Sequence, residues 1–73
     1  MHTDEKLVYM ANQIASFFAA QGEAKAVPAI ADHIRKFWDP EMRRTFLALA
    51  DRPETSLNPL TRKAVDLLKV KAG

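Results

Sequence analysis

Apolar and polar residues alternate along this chain with a period close to 3.6 residues, which is the spacing of helices with one buried face. A first apolar stripe runs through positions 7, 10, 11, 14, 17 and 18, and a second repeats the same spacing at 27, 30, 31, 34, 37 and 38. The pattern predicts helices over about 4–21 and 26–38. On this interpretation the core holds Ile14, Phe17, Ile34, Phe37 and Met42, together with one of the pair Phe18 and Trp38.

Glycine and proline residues indicate where the first two helices end and begin. Gly22 can adopt the left-handed conformation that stops a helix, so we expect the first helix to end at Gln21. Pro28 falls near the predicted start of the second helix, where its missing N–H costs nothing. These two residues predict a short connection between the helices.

Two Asx-Pro steps open the remaining helices. Proline disfavours the helical conformation for the residue before it, so Asp39-Pro40 ends the second helix, and the Asp39 carboxylate can cap a third over 40–51. Asn58-Pro59 repeats this arrangement and predicts a fourth helix over 59–70. Since no alternating stretch reaches four residues, we expect one all-α domain over residues 1–73, a small array or bundle of three to four short helices.

The composition fits a small globular protein that needs good packing or a partner. The 73 residues are 48% hydrophobic and 27% charged, and the absence of cysteine excludes disulfides and thiolate metal sites. A chain this short hides only about 60% of its unfolded surface, so its stability margin is thin. Residues 1–32 hold two basic against four acidic residues and residues 33–73 nine against five, a mild −2/+4 split that does not resemble a nucleic-acid surface.

No residue pattern predicts catalysis or metal binding. His2 and His33 are 31 positions apart, two glycines cannot build a phosphate loop, and neither serine lies in a nucleophile elbow. A chain of this size is also not expected to enclose a pocket of several hundred cubic ångströms. We expect no catalytic, cofactor-binding or metal-binding residue here, no enzyme activity, and a His33 paired locally beside Asp32.

Nothing in the sequence predicts a membrane or export segment. The chain opens with acidic residues where a signal peptide carries basic ones, and its longest apolar runs are five residues, against about 20 for a bilayer span. We therefore expect a cytoplasmic protein that contacts no membrane.

The adjacent aromatic residues at the ends of the first two helices predict a protein interface. Together with Tyr9 and Phe46 they carry more apolar surface than a 73-residue bundle usually hides. Trp38 lies near Arg35, Arg43 and Arg44, and tryptophan and arginine dominate protein–protein hot spots. We expect this corner to dock onto a partner protein.

A small DNA-binding regulator of the helix-turn-helix type is the alternative. The second and third helices are joined tightly, and Arg43 and Arg44 could face a groove. The acidic residues Asp39, Glu41 and Asp51 on the same helix oppose this reading, as does the lack of side chains that read base edges.

Two strings in this sequence resemble a known family. Residues 10–18, MANQIASFF, and residues 33–43, HIRKFWDPEMR, are similar to the delta subunit of NAD-dependent, molybdenum-containing formate dehydrogenases. The resemblance covers about residues 7–50. It implies a small accessory subunit whose larger partners carry the molybdopterin cofactor, iron–sulfur clusters and flavin (FMN), and oxidise formate with NAD.

The resemblance implies a partner interface on this chain and no cofactor of its own. The partner would be the molybdenum-binding catalytic subunit within its complex, and the role would be complex stability, assembly or cofactor maturation. The polar motif residues then join the aromatic and arginine residues in one predicted interface, which comprises Asn12, Gln13, Phe18, His33, Arg35, Trp38, Arg43 and Arg44. Whether the chain stays in the mature enzyme, and whether it self-associates in isolation, is left open by the sequence.

Overall fold

The computed structural model describes the backbone of residues 3–72 and the side chains of residues 5–69. Within these residues there are helices and connecting turns but no strand, so the all-α prediction is confirmed. The elements in chain order are α1 (Thr3–Phe18), a 3-10 turn (Ala19–Gln21), α2 (Glu23–Phe37), α3 (Pro40–Ala50) and α4 (Pro59–Ala72).

Gly22 alone connects the 3-10 turn to α2. Its φ of 89° and ψ of 151° lie in a region that essentially only glycine adopts. Its N–H donates to the Ala19 carbonyl at 3.1 Å, and its own carbonyl accepts from the N–H groups of Lys25 and Ala26 at 3.1 and 2.8 Å. Helical backbone therefore stops at Gly22 as predicted, but the α-helix itself ends at Phe18 and Gly22 is extended instead of left-handed helical. The second helix, α2, begins at Glu23, three residues before the predicted start.

The early start of α2 changes the position of Pro28. Pro28 is the sixth residue of the helix instead of lying at its first turn. Its nitrogen carries no hydrogen, so the Ala24 carbonyl loses its normal helical donor. The expectation that this proline costs nothing is wrong, although both residues are exposed and the carbonyl can turn toward solvent.

The Asx-Pro caps of α3 and α4 are confirmed. The Met42 N–H donates to Asp39 Oδ1 at 2.8 Å, and the Leu60 N–H donates to Asn58 Oδ1 at 2.9 Å. The last carbonyls of α3 also find side-chain donors, because Thr55 donates to Leu49 at 2.6 Å and Arg62 to Ala50 at 3.4 Å. These bonds satisfy one backbone N–H at the start of each of α3 and α4 and two carbonyls at the end of α3.

Small side chains allow the four helices to pack closely. α4 packs mainly on α2 and also contacts α1 and α3. Thr61 of α4 is fully buried, and its hydroxyl donates to the Ala11 carbonyl of α1 in a long hydrogen bond of 3.5 Å. Among residues 5–69, the buried apolar side chains are Leu7, Ala11, Ala15, Ala26, Ile30, Ala31, Ile34, Trp38, Phe46, Leu49, Ala50, Ala64, Val65 and Leu68. The predicted core position of Ile34 is confirmed, while Ile14 and Met42 are half-buried and pack against this core.

Two predicted core residues lie instead at the surface. Phe17 is 77% exposed and Phe37 is 73% exposed, whereas Trp38 is only 5% exposed. Trp38 packs edge-on against Phe46, with ring centroids 5.4 Å apart and ring planes at 75°. The core assignment of Phe17 and Phe37 is therefore wrong. Trp38 is the core member of the pair Phe18 and Trp38, so it is too buried to serve as the interface residue that we predicted.

The line of buried residues along each helix, here called its buried row, explains why Trp38 is buried and Phe17 and Phe37 are exposed. In α2 the buried residues Ala26, Ile30 and Ile34 are spaced four apart, and the next step along the row is Trp38. Phe37 is one residue off that row and therefore points about 100° away from it. The row of α1 passes in the same way through Leu7, Ala11 and Ala15 to Phe18, which is half-buried, and misses Phe17.

Candidate protein-interaction site

Four aromatic side chains form a continuous cluster where α1 and α2 meet. The rings of Phe17 and Phe18 are edge-to-face, with centroids 5.3 Å apart. Phe18 lies 6.2 Å from His33, and His33 lies 4.8 Å from Phe37 on the next turn of α2. We call Phe17, Phe18, His33 and Phe37 the aromatic patch.

The aromatic patch leaves a substantial apolar surface in solvent. Phe18 and His33 are half-buried and form its base, while Phe17 and Phe37 are exposed at its two ends. Since a large aromatic side chain carries about 150–250 Å² of surface, the two exposed rings leave on the order of 300 Å². Apolar patches of roughly 300–600 Å² are the largest that monomers usually show, and they are often functional.

The charged residues beside the patch pair with each other. Lys36 Nζ lies 3.1 Å from Asp32 Oδ2, one helical turn away along α2. The local partner of Asp32 is therefore Lys36, whereas His33 packs between the rings of Phe18 and Phe37. The expected pairing of His33 beside Asp32 is thus replaced by packing against aromatic rings.

The structure brings some of the predicted interface residues together. Phe18 and His33 lie in the aromatic patch, and Gln13 is exposed one turn before Phe17 on α1. Arg35 lies elsewhere, because residues two positions apart on a helix point about 200° apart and Arg35 therefore lies nearly opposite Phe37. Trp38, the centre of the predicted interface, is buried in the core, and the exposed aromatic surface is formed by the aromatic patch instead.

Asn12 has a structural role inside the chain. Its side-chain nitrogen donates to the Ser56 carbonyl at 3.1 Å, and its oxygen accepts from the Asn58 N–H at 2.9 Å. These bonds hold the connection between α3 and α4 against α1. From the sequence we considered two roles for this amide, a solvated surface group or a hydrogen bond across an interface. In the structure the amide forms its hydrogen bonds within the chain.

The first turn of α3 is acidic as well as basic. Arg44 is exposed and Arg43 is half-buried, but Asp39 caps the helix and Glu41 is exposed beside them. Acidic groups at the N-terminus of a helix oppose the close approach of a phosphate backbone. This geometry disfavours the DNA-binding alternative.

A separate groove lies between the start of α1 and the connection that follows α3. It has a volume of about 470 Å³ but is open to solvent, so it is not the enclosed pocket that we considered too large for so short a chain. Its lining mixes apolar and charged side chains and consists of Glu5, Val8, Leu49, Arg52, Glu54, Thr55 and Ser56.

Neither metal-binding groups nor membrane spans are found in the part of the chain that the structure describes. There, no three side chains among histidine, aspartate and glutamate come together as metal ligands would. In the same residues no helix combines the length and apolar character that crossing a bilayer requires.

Sequence reasoning missed Phe17 and Phe37 as surface residues, although a usable signal was present. Alanines continue the buried rows at Ala11, Ala15 and Ala26, but a search for large apolar residues gives them little weight. Counting alanine as a core residue places Phe18 and Trp38 in the rows and leaves the other two rings outside.

Comparison with known proteins agrees with the resemblance seen in the two sequence strings. A family model described as the NADH-dependent formate dehydrogenase delta subunit, FdsD, matches residues 6–65. Neither the curated proteins nor the solved structures gave a match. The matched span contains the aromatic patch, the Trp38–Phe46 pair and most of the core. The chain therefore belongs to the FdsD family of formate dehydrogenase delta subunits.

Proposed function

We propose that this chain is a non-catalytic accessory subunit of a cytoplasmic, NAD-dependent molybdenum formate dehydrogenase. Family membership implies association with the formate dehydrogenase complex. The finer proposal is that the chain binds the molybdenum-binding catalytic subunit and supports the stability, assembly or cofactor maturation of the complex.

The observation that carries this proposal is the exposure of two phenylalanine rings on a chain of 8.2 kDa. Two of the four phenylalanine rings of this small helical chain lie in solvent, where they contribute little to folding. Such a surface suits protein binding. The molybdopterin, iron–sulfur, FMN and NAD sites of the complex are assigned in this proposal to its larger subunits.

The mechanism is physical. A protein that binds only the folded, assembly-competent form of its partner stabilises that form by mass action, by about 2.7 kcal/mol at a concentration of 100 times Kd. An increase of this size would hold a subunit in the conformation that accepts its cofactor. No reacting group on this chain is needed for that effect.

Preparation of the dehydrogenase with and without this chain tests the proposal. We expect the preparation that lacks the chain to contain less molybdenum per catalytic subunit, to unfold at a lower temperature, or to assemble incompletely. Co-expressing the chain with the other subunits should restore the lost property. Unchanged molybdenum content, thermal stability and oligomeric state would contradict the accessory role.

Co-purification provides the second readout. An affinity-tagged form of the chain is expected to retain the molybdenum-binding subunit from a native extract, and recovery of duplex DNA alone would favour the regulator instead. The stoichiometry of the chain in the finished enzyme then distinguishes a permanent subunit from one that leaves after maturation.

A further inference from the structure

We propose that Phe17 and Phe37 are the anchor side chains by which this chain docks onto a larger subunit of the dehydrogenase, each ring entering an apolar pocket of that subunit. The inference rests on the proposed function and names the surface, the two anchors and the chemistry of the site that receives them. It moves the interface away from the Trp38 corner that the sequence suggested.

Both anchors stand out from the surface while their bases are held. Phe17 and Phe37 have about three-quarters of their side chains in solvent. The Phe18 ring packs against Phe17 with centroids 5.3 Å apart, and the His33 ring packs against Phe37 with centroids 4.8 Å apart. The Phe18 and His33 rings lie next to each other, with centroids 6.2 Å apart. Side chains held in this way lose little conformational freedom on binding, which is how preorganisation raises affinity.

The exposed area favours a larger partner over a second copy of this chain. Two aromatic patches pressed together would bury on the order of 600 Å² through their exposed rings, since each patch offers about 300 Å². Stable interfaces bury about 1,200–2,000 Å² in total. Protruding rings also need concave receptors, and two identical protruding patches offer each other none. A larger subunit can supply both pockets and the surrounding contact area.

The charges near the anchors indicate an apolar contact. Lys36 and Asp32 neutralise each other at 3.1 Å on the turn that precedes Phe37. Arg35 points to the other side of α2, because a separation of two residues rotates it by about 200°. Recognition through the patch should therefore respond weakly to salt, since screening acts on charge pairs and not on apolar burial.

Binding of the full chain to the dehydrogenase prepared without it provides the test. We expect Phe17→Ala and Phe37→Ala each to raise the Kd by about 30-fold or more, as hot-spot residues do. Tyr9→Ala is the matched control, because Tyr9 is an aromatic residue of α1 that is 56% exposed but lies outside the patch. We expect this variant to bind within about threefold of the original chain, and circular dichroism should show all three variants folded.

The outcomes separate this inference from the proposed function. If the unaltered chain does not bind the dehydrogenase, the accessory role itself fails. If it binds and the two phenylalanine variants bind equally well, the role stands and the assigned surface is wrong. Raising the salt from 50 to 500 mM should change Kd by less than about threefold, and a steep loss would contradict the apolar contact. Sedimentation of the isolated chain as a dimer that Phe17→Ala dissociates would overturn the choice of a larger partner.

Discussion

Aromatic rings cluster in two regions of this molecule, and the regions differ in how far the rings are buried. Around Trp38 and Phe46, two rings pack edge-to-face inside the core. In the aromatic patch, an equally continuous set of rings ends in solvent at Phe17 and Phe37. The difference arises from helix register and not from residue type, because Phe37 and Trp38 are neighbours in the sequence.

A chain this small can hold both a core and an exposed apolar surface because its core is built largely from small side chains. Alanine occupies several of the buried positions, which lets the helices approach closely and leaves little room for further large side chains. The rings that do not fit this core lie at its edge. We infer that folding depends on the first region and partner binding on the second.

The largest expected contrast is between Trp38→Ala and Phe37→Ala. Removing a buried Trp or Phe ring costs about 3–5 kcal/mol, and a chain of 73 residues has a total stability of only about 4–11 kcal/mol. Removing an exposed ring should change stability by less than about 0.5 kcal/mol. Urea unfolding followed by circular dichroism measures both. Equal losses for the two variants would show that the patch is part of the folding core.

Helix existence and capping were predictable because they depend on local chemistry. Asp39 and Asn58 cap the helices that the following prolines begin, and both caps form through side-chain atoms two or three residues from their partners. Gly22 was predictable as a stop for the same reason. The exact start of α2 was not, because one residue at Gly22 both ends the 3-10 turn and caps the next helix.

The second prediction concerns the joint that places α1 beside α2 and so creates the aromatic patch. Gly22→Ala would place a Cβ in a backbone conformation that costs about 1–3 kcal/mol for residues other than glycine. No atom lies within 4 Å of that Cβ, so the cost comes from the backbone alone. Thermal unfolding should show the loss, and the exposed neighbour Gln21→Ala should remain within about 0.5 kcal/mol of the original chain. An unchanged Gly22→Ala variant would contradict the strained geometry.

On α1 the adjacent amides Asn12 and Gln13 differ, because Asn12 is hydrogen-bonded within the chain and Gln13 is exposed. Asn12→Ala removes two hydrogen bonds and leaves the Ser56 carbonyl and the Asn58 N–H without their partner. We expect a loss of about 1–2 kcal/mol, since an unsatisfied partly buried group costs about that much. Faster amide exchange in residues 52–58 should accompany it. Gln13→Ala should change neither quantity, and a comparable effect there would show that the amides share one role.

The candidate site was harder to predict because it depends on contacts between distant segments. The sequence placed Phe18 and His33 in an interface, and the structure joins them in one patch although 15 positions separate them. The sequence alone could not show that Asn12 bonds to a connection 44 residues away, or that the Trp38 ring packs against Phe46. Those contacts follow from how the helices cross, which a periodic pattern does not specify.

The smallest expected effect tests whether charge adds anything beside the patch. Asp32 and Lys36 are both more than half exposed, and exposed pairs one helical turn apart contribute about 0.3–0.5 kcal/mol. A double-mutant cycle with Asp32→Ala and Lys36→Ala should return a coupling of that size, and salt should reduce it further. A coupling above about 1 kcal/mol that persists in salt would mean that this side of α2 is organised by electrostatics. The weak coupling we expect instead leaves the two exposed rings as the dominant feature that a partner meets on this face.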